Sequence, residues 1–152
     1  MGKLQRHYVR GEIGIASIKG NQIQKVNQVE VIKGQGILND RKFKKENQKE
    51  CQITLIEIEN INSYNNIYKK NIAPLDFRRN IITEKVKLND LVKKEFYVGE
   101  IKLKGHDLCR PCKYLQEKLN LNNFIKEFLY KGGLRCEILN SGKISVGDII
   151  KL

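Results

Sequence analysis

The sequence predicts a mainly β fold, a barrel or a sandwich with a few short helices. Seven segments carry alternating or β-branched apolar residues, which is the pattern of half-buried strands. Turn signals such as KGN, KGQG and NSGK separate these segments, and helical periodicity is sparse. Strands and helices do not alternate regularly, so we expect no βαβ arrangement.

The predicted strands follow one another along the whole chain. In order, they are EIGIASIK (12–19), QVEVIK (28–33), CQITLIEIE (51–59), NIIT (80–83), FYVGEIKLKG (96–105), LRCEIL (134–139) and KISVGDIIKL (143–152). Each is short enough for a small sheet protein. The SGK stretch between the last two is predicted to be the tip of a hairpin.

Helices are predicted in three places. INSYNNIYKK (61–70) suits a short helix, and Pro74 suits the first position of a single turn over 74–77. A helix of about two turns is expected to start near Pro111 or Cys112. An apolar stripe with helical spacing then covers residues 121–129, and we expect Gly132 and Gly133 to end this helix.

Composition indicates one globular domain spanning residues 1–152. Of the 152 residues, 40% are hydrophobic and 30% are charged, which excludes a disordered chain. The N-terminus lacks an apolar signal segment, and no apolar run is long enough to span a membrane. We therefore expect a cytoplasmic protein with four reduced cysteines and no membrane partner.

The net charge of +12 points to an anionic ligand. The lysines are spread along the chain and aromatic residues do not alternate regularly with them. A surface that binds single-stranded nucleic acid would need such aromatic residues. Specific binding to nucleic acid is therefore not expected, although a basic binding module for nucleic acid or an acidic partner stays open as an alternative.

The segment LCRPCKYLQ (108–116) contains a pair of cysteines two residues apart. If a helix begins here, free backbone N–H groups and the flanking Arg110 and Lys113 would favour the thiolate of Cys112. Three alternatives remain: a zinc site with Cys51 and Cys136, a thioredoxin-like redox pair, and simple packing residues. Cys51 and Cys136 lie within strand patterns, and the surroundings are those of a β protein, so neither zinc nor redox chemistry is favoured.

Taken together, the segments of this chain resemble small stand-alone MOSC domains, which are related to the C-terminal domain of molybdenum cofactor sulfurase. The resemblance rests on GEIGIASIKG, GQGILNDRKF, CQITLIE, DFRRNIIT, YVGEIKLKGHDLCRPCKYL, GGLRCEIL and GKISVGDII, in that order. It implies a MOSC-type β-barrel of mixed strands with a few short helices, which agrees with the independent strand pattern.

The resemblance also implies a function in molybdenum cofactor binding or in sulfur transfer for metal–sulfur centres. Cys112 matches the key cysteine and is expected to be the catalytic thiol and the metal ligand, with Cys109 and Lys113 beside the cofactor. Because molybdopterin carries a phosphate, its site needs cations and hydrogen-bond donors. The matching positions are Arg41, Arg79, Asn80 and Arg135, although Arg79 and Arg135 could instead bond backbone carbonyls as scaffold.

Two positions depart from the family pattern. Asn39 replaces a glycine, and because asparagine tolerates positive φ we expect the turn to survive. Lys42 stands where many relatives have a histidine, so chemistry that needs that histidine is in doubt. His106 lies close to the cysteines and is a further candidate base or ligand, although a loop histidine is more often simply exposed.

The expected function is therefore a carrier of molybdenum cofactor or of its sulfur, with possible sulfurtransferase-like activity through Cys112. The cofactor would not be covalently retained, and nothing indicates a lysine site for pyridoxal phosphate. A separate cysteine desulfurase would supply the sulfur, and a molybdoenzyme would accept it. An alternative is a sulfur-cleaving enzyme that acts on a small thiocarbonyl substrate through the same thiol.

Overall fold

The computed structural model describes residues 7–16, 22–111, 113–118, 120 and 123–152. The strands in this part of the chain are β1 (His7–Ile15), β2 (Gln24–Val26), β3 (Gln28–Ile32), β4 (Gly36–Ile37), β5 (Ile53–Glu57), β6 (Ile81–Glu84), β7 (Glu95–Val98), β8 (Ile101–Leu108), β9 (Leu134–Ile138), β10 (Gly142–Ser145) and β11 (Ile149–Lys151). The α-helices are α1 (Ile58–Tyr68), α2 (Lys113–Lys118) and α3 (Phe124–Glu127). Short 3₁₀ turns span Lys49–Cys51, Pro74–Phe77 and Leu88–Leu91.

Eight of these strands form one curled sheet in the order β11-β7-β8-β9-β5-β6-β1-β2. Strand β11 also pairs with the start of β1, which gives the sheet a barrel-like course. A second sheet joins β10, β3 and β4. Both directions of pairing occur, since β5 and β6 are parallel whereas β5 and β9 are antiparallel. The predicted mainly β fold with mixed strands and short helices is confirmed.

The connection from β5 to β6 differs from the prediction. The two strands run parallel and α1 lies between them in the chain, so they form a βαβ unit. The expectation that no such unit exists is wrong. Apolar patterning locates a half-buried strand but does not give its direction, so two strands flanking a helix could not be recognised as a parallel pair.

Two segments predicted as single strands are each divided by a glycine. Residues 96–105 form the hairpin β7–β8, with Gly99 at φ +59 in its turn. Residues 143–152 split into β10 and β11, with Gly147 at φ +91 between them. The predicted SGK hairpin tip is also wrong, because β9 pairs with β5 and β8 whereas β10 pairs with β3.

The alternation of side chains along the strands creates two apolar cores. In β6, Ile81 belongs to the core enclosed by the strands, whereas its neighbour Ile82 faces a second core beneath the helices. The second core contains a cluster of aromatic rings in tilted contact, among them Phe77 and Phe128 with ring centroids 5.2 Å apart. The helices therefore cover one outer face of the sheet.

The helices near the cysteine pair are shorter than the sequence pattern suggests. Helix α2 begins at Lys113, close to the predicted start, while α3 covers only Phe124–Glu127 of the stripe predicted over 121–129. Residues 121 and 122 lie outside the described part of the chain, as do residues 17–19 of the first predicted strand. Within the described residues, we find no helix with the length and apolar character to cross a bilayer.

Candidate functional site

The loop after β4 is built around the buried carboxylate of Asp40. Asn39, just before it, adopts φ +71, so the turn survives the replacement of glycine as predicted. The Asp40 carboxylate accepts hydrogen bonds from the backbone N–H groups of Ala16 at 3.1 Å and Lys42 at 3.3 Å. It also forms an ion pair with Arg41 at 3.5 Å. One carboxylate therefore ties this loop to the end of β1 and sets the position of Arg41.

A second anchor, Asn47, fixes the far side of the same loop. Its side-chain amide donates to the carbonyl oxygens of Lys42 at 2.8 Å and Gln35 at 2.9 Å. The backbone of Lys42 is therefore held through its N–H by Asp40 and through its C=O by Asn47. Its side chain forms no hydrogen bond or ion pair with any other residue that the structure describes.

The Gly132–Gly133 segment holds the end of β8 next to this loop. The Cys109 N–H donates to the Gly133 carbonyl at 2.7 Å, and Arg79 Nε donates to the Gly132 carbonyl at 2.8 Å. A Cβ on Gly132 would lie 2.6 Å from the Cys109 carbonyl oxygen. The paired glycines thus allow a close backbone approach that brings Arg79 and Cys109 together. They do not end the helix as predicted, because α3 already ends at Glu127 with Phe128 as its C-cap.

Cationic side chains surround Cys109 in this arrangement. Burial raises the pKa of the Cys109 thiol, whereas the nearby charges of Arg79, Lys42 and Arg135 lower it. Burial and the charges of Arg41 and Arg79 together lower the pKa of Lys42. Burial likewise lowers the pKa of the Arg41 guanidinium, against the opposing effect of Asp40. An anionic ligand would relieve these unfavourable buried positive charges.

A cleft of about 380 Å³ opens beside this cluster. It is lined by Arg41, Lys42, Phe43, Lys44, Asn47, Glu50, Cys51 and Arg135. Arg135 donates through Nη2 to Asp107 at 3.3 Å, while its buried Nε has no hydrogen-bond partner among the described residues. We name this space the cationic cleft.

The cationic cleft fits the anionic part of a molybdenum cofactor. Guanidinium and ammonium groups suit a phosphate, and the unpaired Arg135 Nε provides a donor that a bound anion could satisfy. Cys109 places a thiol beside these cations.

The predicted site residues do not all join this cleft. Arg41 and Arg135 line it, and Arg79 and Cys109 adjoin it. Asn80 is buried, and its amide group bonds Thr54 and the Gly14 carbonyl, which makes it part of the scaffold. Lys113 is exposed and forms an ion pair with Glu117 at 4.0 Å.

The predicted catalytic thiol and metal ligand, Cys112, lies outside the described residues. Its neighbours Pro111 and Lys113 are described, and α2 begins immediately after it. The role assigned to Cys112 therefore stays a prediction.

The other cysteines and the nearby histidine have separate environments. Cys136 is buried in β9, whereas Cys51 lies in the 3₁₀ turn Lys49–Cys51 and not in a strand as expected. Over the described ranges, no group of three or more His, Cys, Asp or Glu side chains could hold a metal ion. His106 lies in β8 instead of a loop, and its Nε2 is 2.8 Å from a Glu137 oxygen.

Sequence reasoning missed the contribution of Lys42, Asp40 and Asn47. Lys42 was noted only as a departure from the family pattern, yet it lines the cleft. The sequence does contain a signal for this loop, since Asp40 and Asn47 lie on the two sides of the basic run in NDRKFKKEN. Polar side chains in these positions indicate a loop held by hydrogen bonds from its own side chains.

The fold and this cleft place the chain among small mixed β proteins, and its cationic site lies between the loop after β4, the turn before β5 and strand β9. The MOSC domain family model matches residues 39–151, so the chain belongs to the MOSC domain family. Because this family is related to the C-terminal domain of molybdenum cofactor sulfurase, a general role connected with the molybdenum cofactor follows.

Solved structures show the same fold at low sequence identity. YuaD from Bacillus subtilis has 19% identity and a TM-score of 0.79, and 96% of each chain is covered. YiiM from Geobacillus stearothermophilus has 17% identity and a TM-score of 0.77, with 96% of this chain and 74% of that one covered. YiiM from Escherichia coli has 15% identity and a TM-score of 0.70, with 97% and 69% covered. A comparison with curated protein sequences found no match.

Proposed function

We propose that this protein binds the molybdenum cofactor in the cationic cleft and carries sulfur for it through Cys112. The observation that supports this most is the convergence of Lys42, Arg79 and Arg135 on Cys109, with Arg41 beside Lys42. These four cations come from three segments far apart in the sequence, so their convergence is not a local charge run.

The arginines would hold the phosphate of the cofactor. Arg41 and Arg135 line the cleft, and the Arg135 Nε is the donor left without a partner. A planar guanidinium suits a phosphate because it offers parallel N–H groups. Arg79 contributes its charge while its Nε stays bonded to Gly132. When bound, the cofactor supplies a soft metal centre that accepts sulfur.

Cys112 would receive sulfur from the persulfide of a separate cysteine desulfurase. Its thiolate attacks the outer sulfur of that persulfide, a new S–S bond forms at Cys112 Sγ, and the donor's S–S bond breaks. The donor leaves as a thiolate, the proton stays on the transferred sulfur, and no external oxidant is needed. A molybdoenzyme would be the final acceptor, and the cytoplasm would be the compartment, since it keeps such thiols reduced.

Cys109 is suited to support this chemistry and less suited to perform it. Because burial raises its pKa, its thiol is predominantly protonated at neutral pH. A protonated thiol is a poor nucleophile but can donate a weak hydrogen bond to a neighbouring sulfur. We therefore assign the transfer to Cys112 and a supporting position to Cys109.

The test is intact mass spectrometry with molybdenum analysis on protein purified anaerobically from its native host. Cys112→Ser, Cys109→Ser and Cys51→Ser are treated identically. We expect either a mass increase of about 32 Da from one added sulfur or a pterin-sized adduct with molybdenum, lost in Cys112→Ser. Cys51→Ser is the matched control and should retain the adduct.

Other results would replace this proposal. Sulfide release from a small thiocarbonyl substrate without molybdenum, abolished by Cys112→Ser, would assign the thiol to a sulfur-cleaving enzyme. Bare protein in all four samples, combined with salt-sensitive binding to nucleic acid or an acidic protein, would indicate a basic binding module.

A further inference from the structure

We propose that Glu50 and Phe43 form a pterin-recognition end of the cationic cleft, which selects a ring with adjacent N–H donors. This inference rests on the proposed function and adds which part of the cofactor is read. Both residues line the same cleft as Arg41 and Arg135. The cleft volume of about 380 Å³ lies within the range of small-molecule sites.

Glu50 is the acidic residue among those that line this cleft. The cleft also contains Arg41, Lys42, Lys44 and Arg135, yet Glu50 forms no ion pair or hydrogen bond with any residue that the structure describes. Its carboxylate oxygens are therefore available to a ligand. A ligand that interacts with the arginines and with Glu50 must combine an anionic group with hydrogen-bond donors.

Phe43 is the aromatic residue among those that line this cleft. Its backbone N–H donates to the Asp40 carbonyl at 3.0 Å, so the segment that carries the ring is held by the same loop that positions Arg41. Phe43 is half-buried and lines the cleft. A planar heterocycle stacks on such a ring, whereas a simple inorganic anion gains nothing from it.

The pterin ring matches this combination. Its 2-amino group and its N3–H lie side by side on one edge and point in the same direction, so one carboxylate can accept both hydrogens. The bicyclic ring stacks on an aromatic face, and the phosphate is attached at the opposite side of the molecule. Guanine nucleotides present the same donor edge together with a phosphate, so they are the competing source of this chemistry.

The experiment compares two ligands that differ only at this edge. The probes are 6-hydroxymethylpterin phosphate and 6-hydroxymethyl-lumazine phosphate, in which a carbonyl oxygen replaces the 2-amino group. Binding is followed by ligand fluorescence, with guanosine monophosphate as a third probe. We expect the pterin to bind roughly ten- to a hundred-fold more tightly, because the lumazine oxygen faces the Glu50 carboxylate without a hydrogen between them.

Two variants and one control assign the effect to named residues. Glu50→Gln keeps the shape of the side chain and should abolish the preference for pterin over lumazine. Phe43→Leu should weaken both ligands about tenfold and leave their ratio unchanged, since stacking does not distinguish them. Glu46→Gln removes an exposed carboxylate of the same loop and should change neither value.

Each contrary outcome has a separate meaning. If both probes bind without discrimination, or if Glu50→Gln leaves the preference intact, the inference is wrong and the proposed function stands. If guanosine monophosphate binds as tightly as the pterin with the same dependence on Glu50, the cleft belongs to a guanine nucleotide. If none of the probes binds, both the inference and the proposed cofactor site are overturned.

Discussion

Two clefts at opposite ends of β5 differ in how they hold charge. Just before the strand, Glu50 and Cys51 line the cationic cleft, whereas Glu57 at its last position and Glu59 beyond it line a cleft of about 620 Å³. We name the second space the acidic cleft, although lysines also contribute to its wall. In both clefts burial works against a charge, since it lowers the pKa of Lys42 and raises that of Glu57.

The difference lies in what compensates that charge. Glu57 accepts a hydrogen bond from the Asn60 side-chain amide at 3.4 Å, and Glu59 accepts one from the Lys85 backbone N–H at 3.1 Å. Lys42 has no such partner among the described residues, and its neighbours Arg41 and Arg79 are also positive. A cleft that leaves a buried charge such as that of Lys42 without a partner is prepared for a ligand, whereas one that pairs its charges locally contributes to the fold.

The largest expected difference concerns how much a substitution in each cleft destabilises the protein. Asp40→Ala removes the carboxylate that bonds two backbone N–H groups and Arg41, and it leaves these donors buried. We expect a loss of about 3–5 kcal/mol in the free energy of unfolding. Glu59→Ala removes one exposed hydrogen bond in the acidic cleft and should cost about 0.5–1 kcal/mol. Urea denaturation measures both, and equal losses would contradict the central position of Asp40.

The next effect concerns ligand binding. Arg135→Met removes a cation that lines the cationic cleft but keeps much of the side-chain volume. We expect roughly ten- to a hundred-fold weaker binding of 6-hydroxymethylpterin phosphate, since a charge-assisted hydrogen bond is lost. Lys87→Met, which removes the same charge from the acidic cleft, is the control. Fluorescence titration at two salt concentrations measures both variants. Equal weakening of binding by the two variants would mean that only the overall charge of the protein matters.

Lys42→Met should weaken ligand binding severalfold and yet stabilise the protein. The pKa of Lys42 in the folded protein lies below its ordinary value of 10.5, first because of burial and then because of Arg41 and Arg79. The folded state therefore binds this proton less tightly than the unfolded state, and the cost is fully present below the folded pKa. We expect a gain of about 1 kcal/mol at pH 7 that disappears above pH 10.5.

Urea denaturation at several pH values would measure this gain in stability. Lys44→Met, which removes an exposed lysine beside Lys42, is the matched control and should not change stability detectably. A destabilised Lys42→Met protein would mean that the lysine side chain contributes more through packing than burial of its charge costs.

The smallest effect is expected at Glu57. Burial is the main cause of its raised pKa, with Glu59 and Asp90 adding to it, so the charged form costs stability above the folded pKa. That cost declines as the pH falls towards the ordinary value of 4.5, where both states become protonated. Glu57→Gln should therefore stabilise the protein by a few tenths of a kcal/mol at pH 7, because solvent screens this partly exposed group. Glu59→Gln is the control, and thermal denaturation at pH 4 and pH 7 measures the difference.

The sequence by itself determined the mainly β fold, most strand positions and the family. Period-two patterning is a local property, so segments such as QVEVIK and LRCEIL could be recognised without knowing their partners. The same holds for the asparagine turn at Asn39 and for the arginines of the cationic cleft, which lie in motifs that resemble the family. A local pattern and a matched motif need no knowledge of the rest of the chain.

Only the tertiary structure decided which of these residues meet. The parallel pairing of β5 and β6, the division of two predicted strands at Gly99 and Gly147, and the scaffold role of Asn80 all depend on contacts between distant segments. The cationic cleft depends on such contacts too, because it combines the loop after β4, the turn before β5 and strand β9. Charge and spacing in a sequence show which chemical groups are available. The pairing of strands brings those groups together and determines how deeply each charged side chain is buried.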